Sequence, residues 1–272
     1  MRKKVIFLLR GGLGNQLFQI CNLAVLSRSY NVLFYVSDLN TFHLQRGMGG
    51  TESLSLPITS LFPAGAPPQI LQSKSRYFVK FLVGASNRCG VPKVFDEGLP
   101  RFSDLPKISF LTGYFQDFRI IDQIPIDSLN KAIVSNSNDL SLPKITDSVC
   151  IHIRRQDYPQ SVSKNFGIKY YVEAIQRFQD LGFTRFDCYS DDISAAQEIL
   201  SFLPQSQKRF PETNLRLDSI SLLRKMSTYK NFVLSQSSLA WWASYLAFRN
   251  NQEVRIEAQL SPSLNFMSRK PI

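Results

Sequence analysis

Two adjacent arginines, Arg154 and Arg155, are the residues of this chain best placed for chemistry. Together with His152 they follow the apolar run Ser148-Val149-Cys150-Ile151, which predicts the end of a buried strand. Ligands of α/β sheets bind outside the carboxyl ends of the strands. Guanidinium groups there suit a phosphate or diphosphate, because their planar donors match its oxygens and their charge offsets its own. The alternative is a basic strand end that is exposed to water or paired with acids.

Three other segments carry polar groups between a predicted strand and the helix that follows it. Glycines, hydroxyls and N–H groups at a helix start can hold an anion. They can also serve structure alone, with glycine forming the turn, Ser or Asp capping the helix and tryptophans filling a core. Capping is the favoured interpretation for Asp192, whereas Asp191 is kept as a ligand contact. The segments are Gly11-Gly12-Leu13-Gly14-Asn15-Gln16, Ser190-Asp191-Asp192 and Ser235-Gln236-Ser237-Ser238-Leu239-Ala240-Trp241-Trp242.

The glycine-rich segment is close to the dinucleotide fingerprint G-x-G-x-x-G, which would indicate a nicotinamide cofactor. Leu17 stands at the third glycine position, so the sequence disfavours that cofactor. The other segments place anion-binding groups after three strands of the second half of the chain. Such an arrangement, facing one cleft, suits a nucleoside diphosphate.

Apolar runs that alternate with helical periodicity predict β-α units along the whole chain. In the first half we expect strands at 5–9, 32–36 and 108–115, a helix at 15–30, loops at 38–68 and a basic amphipathic helix at 69–83. In the second half we expect strands at 149–154, 186–190, 208–210, 231–234 and 253–257, and helices at 170–181, 195–202, 220–229 and 239–249. Asp218 or Ser219 is the expected N-cap of the third of these helices.

The polar run near residue 135 predicts a domain boundary. It divides the chain into an N-terminal α/β domain at 1–140 and a C-terminal Rossmann-like domain at 141–272, with a cleft between them. The four cysteines are isolated and have no histidines at zinc-ligand spacing, which predicts free thiols in a reducing cytoplasm and no metal site. No stretch reaches the roughly 18 apolar residues of a membrane span.

The net charge of +11 favours an anionic partner. The basic residues are scattered, and few aromatic residues alternate with them, so the sequence does not indicate nucleic-acid binding. An anionic membrane face explains the charge better, and it predicts a cytoplasmic protein held peripherally on the inner face of the membrane.

Five segments, in order and at matching spacing, resemble the bacterial α-1,2-fucosyltransferases of glycosyltransferase family 11, over about residues 5–260. The motif His-x-Arg-Arg-x-Asp alone is shared with α-1,6-fucosyltransferases, whereas the N-terminal and Trp-Trp motifs point to the α-1,2 group. The segments are GGLGNQLFQ at 11–19, GYFQ at 113–116, HIRRQDY at 152–158, YSDD at 189–192 and SQSSLAWW at 235–242.

The resemblance implies a GT-B-like fold whose N-terminal domain, 1–140, is on the acceptor side and whose C-terminal half binds the donor GDP-fucose, with no metal or other cofactor. It implies inverting transfer of fucose to the 2-hydroxyl of a terminal β-galactose, on an oligosaccharide or a lipid-linked glycan. Arg154 would bind the β-phosphate and stabilise the GDP leaving group. His152 and Asp218 would contact the guanosine, and Ser237 and Ser238 would hold the diphosphate. The further residues implied at the donor are Arg155, Ser190, Asp191, Ser235 and Gln236, and those lining the cleft from the N-terminal half are Gly12, Gly14, Asn15 and Gln16.

Three positions depart from the family pattern, since Gln156, Gln236 and Ala243 stand where Gly, Asn and Gly are common. These changes bear on acceptor preference more than on donor type. The catalytic base is not evident, and Asp157 and Asp117 are candidates by residue type. Asp157 is also expected to brace Arg155.

Two other functions stay open at this stage. One is a different GT-B enzyme, such as a protein O-fucosyltransferase or a transferase that uses another nucleotide sugar. The other is a non-catalytic protein that binds anions.

Overall fold

The computed structural model describes residues 4–8, 11–28, 31–36, 58–62, 69–72, 93–95, 108–133, 145–155, 167–211, 218–250 and 253–268. These residues form two units, and each is organised around one five-stranded sheet. The predicted boundary at 140 lies outside the described residues. Residues 262–268, which the prediction placed in the second domain, cluster with the first unit, where Phe118 N donates to Ser263 O (3.0 Å) and Phe266 is buried.

The first unit has a parallel sheet in the order β3-β2-β1-β5-β4. Its strands are β1 Lys4–Leu8, β2 Asn31–Val36, β3 Gln69–Gln72, β4 Lys93–Phe95 and β5 Ile108–Thr112. Its helices are α1 Leu13–Leu26, α2 Phe118–Ile121 and α3 Ile126–Ile133, with a 3-10 turn at Ile58–Leu61. The predicted helix at 69–83 is wrong at its start, because Gln69–Gln72 pairs with β2 as a strand. The rest of that segment lies outside the described residues.

The second unit has a parallel sheet in the order β10-β9-β6-β7-β8. Its strands are β6 Ile145–Ile153, β7 Phe186–Ser190, β8 Lys208–Arg209, β9 Tyr229–Leu234 and β10 Arg255–Glu257. Its helices are α4 Ile168–Asp180, α5 Ile193–Ile199, α6 Ser219–Met226 and α7 Ser238–Arg249. Numbered from β6, this is the strand order 3-2-1-4-5 of a Rossmann fold. The predicted fold class, an α/β chain of the GT-B-like type with two Rossmann-like halves, is confirmed.

Helix α6 ends three residues before the predicted end at 229. The side chains of the next two residues account for this, since Ser227 Oγ donates to Arg224 O and Thr228 Oγ1 to Lys225 O, each at 2.8 Å. Hydroxyls that satisfy the last carbonyls terminate a helix. β9 therefore begins at Tyr229, two residues earlier than predicted.

Helix α7 is buried along almost its whole length, from Ala240 to Ala247. Trp241 stacks on Tyr245 with ring centroids 4.6 Å apart, and Trp242 meets Trp241 edge to face. Each fully buried aromatic side chain of this size contributes roughly 2 kcal/mol through the apolar area it removes from water. This packing fixes the start of the helix, which carries Ser237 and Ser238, on the rigid core of the second unit. Among the described residues, none of the helices has the length and apolar character needed to cross a membrane.

The turn after β5 contains a residue in a rare backbone conformation. Phe115 has φ +49°, in the left-handed region that large side chains avoid, and its ring is fully buried. Its carbonyl accepts hydrogen bonds from Asp117 N (2.9 Å) and from the buried side chain of Asn22 (3.1 Å) in α1. A strained residue persists only where its surroundings hold it, and Asn22 ties this turn to α1.

We expect Asn22→Ala to lower the free energy of unfolding by about 1–3 kcal/mol, because the carbonyl of Phe115 loses a buried donor. Denaturant unfolding followed by circular dichroism would measure this. Gln123→Ala, at an exposed position of the same unit, is the control and should change stability little. Equal stability of the two variants would contradict the anchoring role of Asn22.

Candidate active site

The carboxyl edge of the second sheet brings together the polar segments that the sequence analysis identified. β6 lies between β7 and β9, and in this register Ile153 pairs with Ser190 and His152 with Leu234. The three strands therefore end at the same level, and the segments that start at Arg154, Asp191 and Ser235 leave from one edge. The predicted convergence after three neighbouring strands is confirmed.

The gap between β6 and β9 is the topological switch point of this sheet. The chain moves from β6 to β7 and β8 on one side and then returns to place β9 and β10 on the other. Loops that leave the two central strands diverge at such a point and open a crevice, where ligands of open α/β sheets bind.

His152 and Ser235 join the two strands at the switch point. Nδ1 of the His152 ring lies 2.7 Å from Ser235 Oγ, and Ser235 N donates to His152 O at 3.1 Å. The imidazole is 5% exposed, and burial, followed by the nearby charge of Arg154, lowers the pKa of His152 to about 3. The ring is therefore neutral at physiological pH and presents no positive charge to a ligand.

The turn that carries the two arginines is braced by the neighbouring strand. Asp191 Oδ1 accepts a hydrogen bond from Arg155 N at 2.7 Å. A charged acceptor on a backbone N–H is among the stronger hydrogen bonds, so Asp191 fixes the path of the chain at Arg154 and Arg155, both of which are half-buried.

Ser190 and Asp192 serve the turn between β7 and α5. Ser190 Oγ accepts from Asp192 N (3.0 Å) and donates to Asp192 O (2.9 Å). Asp192 Oδ1 accepts from Ala195 N (3.0 Å), which confirms the predicted N-cap. Ser190 is buried and contributes to the edge through this turn.

The start of α7 supplies the second set of donors. Ser237 caps the helix, since its Oγ accepts from Ala240 N at 3.4 Å, and its own N–H donates to Ser235 O at 2.8 Å. Ser238 is half-buried and Gln236 is exposed. A helix of this length carries partial positive charge at its N-terminus, which favours an anion. The tryptophans fill the core, as the structural interpretation of this segment predicted.

Asp218 is the N-cap of α6, as predicted. Its Oδ1 accepts from Ile220 N (2.8 Å) and Ser221 N (2.7 Å), and its Oδ2 accepts from Ser221 Oγ (2.9 Å). The carboxylate thus already holds the helix, and a contact with guanosine stays a prediction.

The predicted residues of the first half lie at the carboxyl end of β1, in the first unit. Gln16 is buried and its Nε2 donates to Gly11 O (2.7 Å), so it braces the glycine turn. Asn15 is half-buried and accepts from Gln116 Nε2 at 2.8 Å. Gly12 is exposed and Gly14 is buried within α1.

Of the two candidate bases, Asp157 lies outside the described residues, as does Gln156. Asp117 is largely buried and caps α2 through Arg119 N. Its two carboxylate oxygens also pair with the guanidinium of Arg119. A carboxylate held in this way is poorly placed to take a proton from a substrate.

Tyr170 is a residue of this edge that no sequence motif indicated. Its hydroxyl lies 2.8 Å from Leu234 O and 2.9 Å from Glu257 O, and it donates to these two carbonyls at the ends of β9 and β10. In the sequence it is one more polar residue on an amphipathic helix, so no pattern distinguished it.

Within the described residues, no group of three or more His, Cys, Asp or Glu side chains could hold a metal ion. The described thiols, those of Cys21, Cys150 and Cys188, are buried, and burial raises the pKa of each. They are therefore poor nucleophiles and poor metal ligands.

The profile of Glycosyl transferase family 11 matches residues 95–270, which is more than half of the chain. The chain belongs to glycosyltransferase family 11. The predicted family is confirmed, and the matched span contains the whole of the edge described above.

Two relatives from Escherichia coli match parts of the chain. The O-antigen biosynthesis glycosyltransferase WbnK is 28% identical over 152 residues, which are 50% of each protein. An alpha-1,2-colitosyltransferase is 32% identical over 114 residues, which are 38% of this chain and 37% of the relative. The matched segments thus span half or less of the length of these relatives.

Solved structures with a similar fold include glycosyltransferases of low sequence identity. The fucosyltransferase NodZ from Bradyrhizobium superposes with a TM-score of 0.48 and 12% identity, covering 90% of this chain and 92% of NodZ. The ADP-heptose lipopolysaccharide heptosyltransferase II of E. coli has a TM-score of 0.44 and 14% identity, covering 97% and 94%.

We expect the stability of this family 11 protein to fall as the pH drops below about 6.5. In the unfolded chain His152 binds a proton near its ordinary pKa, whereas the folded ring stays neutral down to a pKa of about 3. The free energy of unfolding should therefore fall by up to about 1.4 kcal/mol per pH unit across this window. Denaturant unfolding at pH 4 to 8 would measure it.

The variant His152→Gln is the control, since it retains His43 and every other titrating group. Its stability should decline less steeply between pH 6.5 and 4. Parallel pH profiles for wild type and variant would show that His152 is not held neutral by the fold.

Proposed function

We propose that this chain is an inverting galactoside α-1,2-fucosyltransferase. It moves L-fucose from GDP-fucose to the 2-hydroxyl of a terminal β-galactose of a glycan. Membership of glycosyltransferase family 11 supports a glycosyl donor, and the relative named as an alpha-1,2-colitosyltransferase supports the 1,2 linkage. The observation that carries the proposal is the arginine turn, braced by Asp191, at the switch point of a Rossmann-type sheet.

The diphosphate of the donor would be held from two directions. Arg154 follows the last residue of β6, and Ser237 and Ser238 begin α7 after β9, the neighbouring strand. A guanidinium offers paired donors to phosphate oxygens, and the N–H groups of a helix start offer more, with the helix dipole behind them. Ser235 and Asp191 act here by holding these donors in place.

In the reaction, the bond between C1 of fucose and the β-phosphate oxygen breaks, and its electron pair leaves with GDP. The 2-hydroxyl oxygen of galactose attacks C1 from the opposite face, which inverts the configuration. Negative charge grows on the β-phosphate as the bond breaks, so a fixed cation there lowers the barrier. Arg154 is the residue we assign to this role, with no metal required for it.

The proton of the attacking hydroxyl needs an acceptor. His152 does not suit this role, because a group with a pKa of about 3 is a weak base at neutral pH. Asp117 is engaged by Arg119. We therefore assign the base to Asp157 and the larger part of catalysis to stabilisation of the leaving group. The neutral ring of His152, with Asp218, would contact the guanosine.

A colitose donor is the second candidate, because one relative is an alpha-1,2-colitosyltransferase. Colitose is fucose without its 3-hydroxyl, so the reacting carbon C1 is the same in both sugars and the same 1,2 linkage can form. Parallel assays with GDP-fucose and its 3-deoxy counterpart would decide between the two sugars by their relative kcat/KM.

The net charge of +11 supports peripheral attachment to an anionic membrane that presents a lipid-linked glycan. Co-sedimentation with vesicles that contain anionic lipid, but not with neutral vesicles, is the expected result. Equal recovery with both would remove this part of the proposal.

We expect Arg154→Ala to lower kcat by about 100-fold or more, because the β-phosphate loses its cation in the transition state. Release of GDP from GDP-fucose in the presence of a β-galactoside would measure it. Arg185→Ala is the matched control, since Arg185 pairs with Asp147 at the opposite edge of the sheet and is half exposed. Turnover of Arg154→Ala at the wild-type rate, with the fold intact, would exclude this mechanism.

The first assay is release of GDP from GDP-fucose against a panel of β-galactosides in EDTA. Release that depends on the acceptor, with a product cleaved by an α-1,2-fucosidase, is expected and would establish donor, linkage and metal independence together. No binding of GDP-fucose would reject the proposed donor.

A further inference from the structure

The first unit has a polar cluster at its own switch point, to which the mechanism proposed above assigns no step. β1 pairs with β2 on one side and with β5 on the other, and both pairings are parallel. The turn after β1 holds Gly11 and leads into α1 with Asn15. The turn after β5 holds Tyr114 and Gln116. Both turns leave the same edge of the sheet, at the place where open α/β sheets bind ligands.

Contacts between the two turns define the cluster. Gln116 Nε2 donates to Asn15 Oδ1 at 2.8 Å, across 101 positions of sequence. Gly11 has φ +82°, and a Cβ on it would lie 2.9 Å from Asn15 Nδ2 and 3.1 Å from Tyr114 Cε1. The ring of Tyr114 and the amide of Asn15 therefore both pack directly on a position that only glycine fits.

Backbone strain supports this arrangement. Phe115, between Tyr114 and Gln116, is held at φ +49° with its ring buried. Such strained conformations cluster at binding and catalytic sites. Asn22 secures it from α1.

The chemistry of the cluster suits a neutral, hydroxyl-rich ligand. An amide side chain offers both donors and an acceptor, as sugar hydroxyls do, whereas cationic side chains strengthen a phosphate site through their charge. Tyr114 is 38% exposed although it sits among buried neighbours, and an aromatic face can pack on the C–H face of a pyranose. Asn15, Tyr114 and Gln116 carry no charge at neutral pH.

We propose that Tyr114, Asn15 and Gln116 form a subsite for the sugar of the glycan acceptor. This inference rests on the proposed function, since it names the part of the protein that recognises the acceptor. Tyr114 is the stacking platform, and the Asn15–Gln116 pair binds the hydroxyls of the sugar.

The test uses saturation-transfer NMR to measure how β-galactoside oligosaccharides bind to the wild-type protein and to three variants. The variants are Tyr114→Ala, Tyr114→Phe and Gln116→Ala. The two alanine variants should weaken binding and raise the acceptor KM roughly tenfold. Tyr114→Phe, which keeps the ring, should stay near wild type. The affinity for GDP and the rate of donor hydrolysis without acceptor should not change.

Two controls match the substitutions by residue type. Phe202→Ala removes an aromatic ring of similar exposure (40%) in the second unit, and Gln123→Ala removes an exposed amide elsewhere in the first. Both should leave glycan binding unchanged.

The subsite is overturned if wild type binds none of the β-galactosides, if the alanine variants bind them as wild type does, or if those variants lose GDP affinity to the same degree. Glycan binding by NMR needs no donor. A wrong donor would therefore appear as absent transfer from GDP-fucose with binding that still depends on Tyr114 and Gln116.

Discussion

The central position of the first strand in each sheet is the constraint on which the polar groups of both units depend. The strand that follows lies on one side of it, and a strand from later in the chain lies on the other. Parallel pairing brings the carboxyl ends of these neighbours to one edge, and the change of direction separates their loops there. Residues far apart in sequence consequently meet at one point, Asn15 with Gln116 in the first unit and His152 with Ser235 in the second.

Several polar side chains of the second unit hold its strand ends and helix starts in place, and some of them belong to the proposed ligand site. Asp191 accepts from the backbone of Arg155, Asp218 and Ser237 cap helices, and Tyr170 ties the ends of β9 and β10. Each hydrogen bond contributes about 1 kcal/mol to stability. Their greater effect is to fix the arginine turn and the start of α7 before a ligand arrives, so that little ordering entropy is lost on binding.

The sequence predicted the second unit well because its central strands β6, β7 and β9 are largely buried on both faces and contain apolar runs, which are a strong and local signal. Prediction failed where tertiary contacts decide the outcome. Gln69–Gln72 has the spacing of an amphipathic helix, yet pairing with β2 makes it a strand. The short helix α2 depends on its cap by Asp117 and on contact with Ser263. Candidate site residues could be chosen from the sequence by their residue type. A local sequence pattern cannot reveal a hydrogen bond across 83 positions, such as the one between His152 and Ser235.

The two switch points share a topology and differ in the charge of their described side chains, and this difference underlies the ligands proposed for them. At the second, Arg154 and Arg155 follow β6 and α7 begins after the neighbouring strand β9, so the dipole of α7 adds positive potential at the same sheet edge, while the only imidazole described there is held neutral by burial and by Arg154. The guanidinium charges and the helix dipole both make the electrostatic potential there more positive, so an anion is favoured. At the first, α1 also begins at the sheet edge, but the contacts around it are an amide pair and a tyrosine ring. None of the side chains described in that cluster is a guanidinium group, so a diphosphate would lose its hydration there without gaining a charged partner from them, whereas a neutral sugar would lose little. Under the proposed function, the side chains at equivalent points of the two sheets would distinguish a charged donor from an uncharged acceptor.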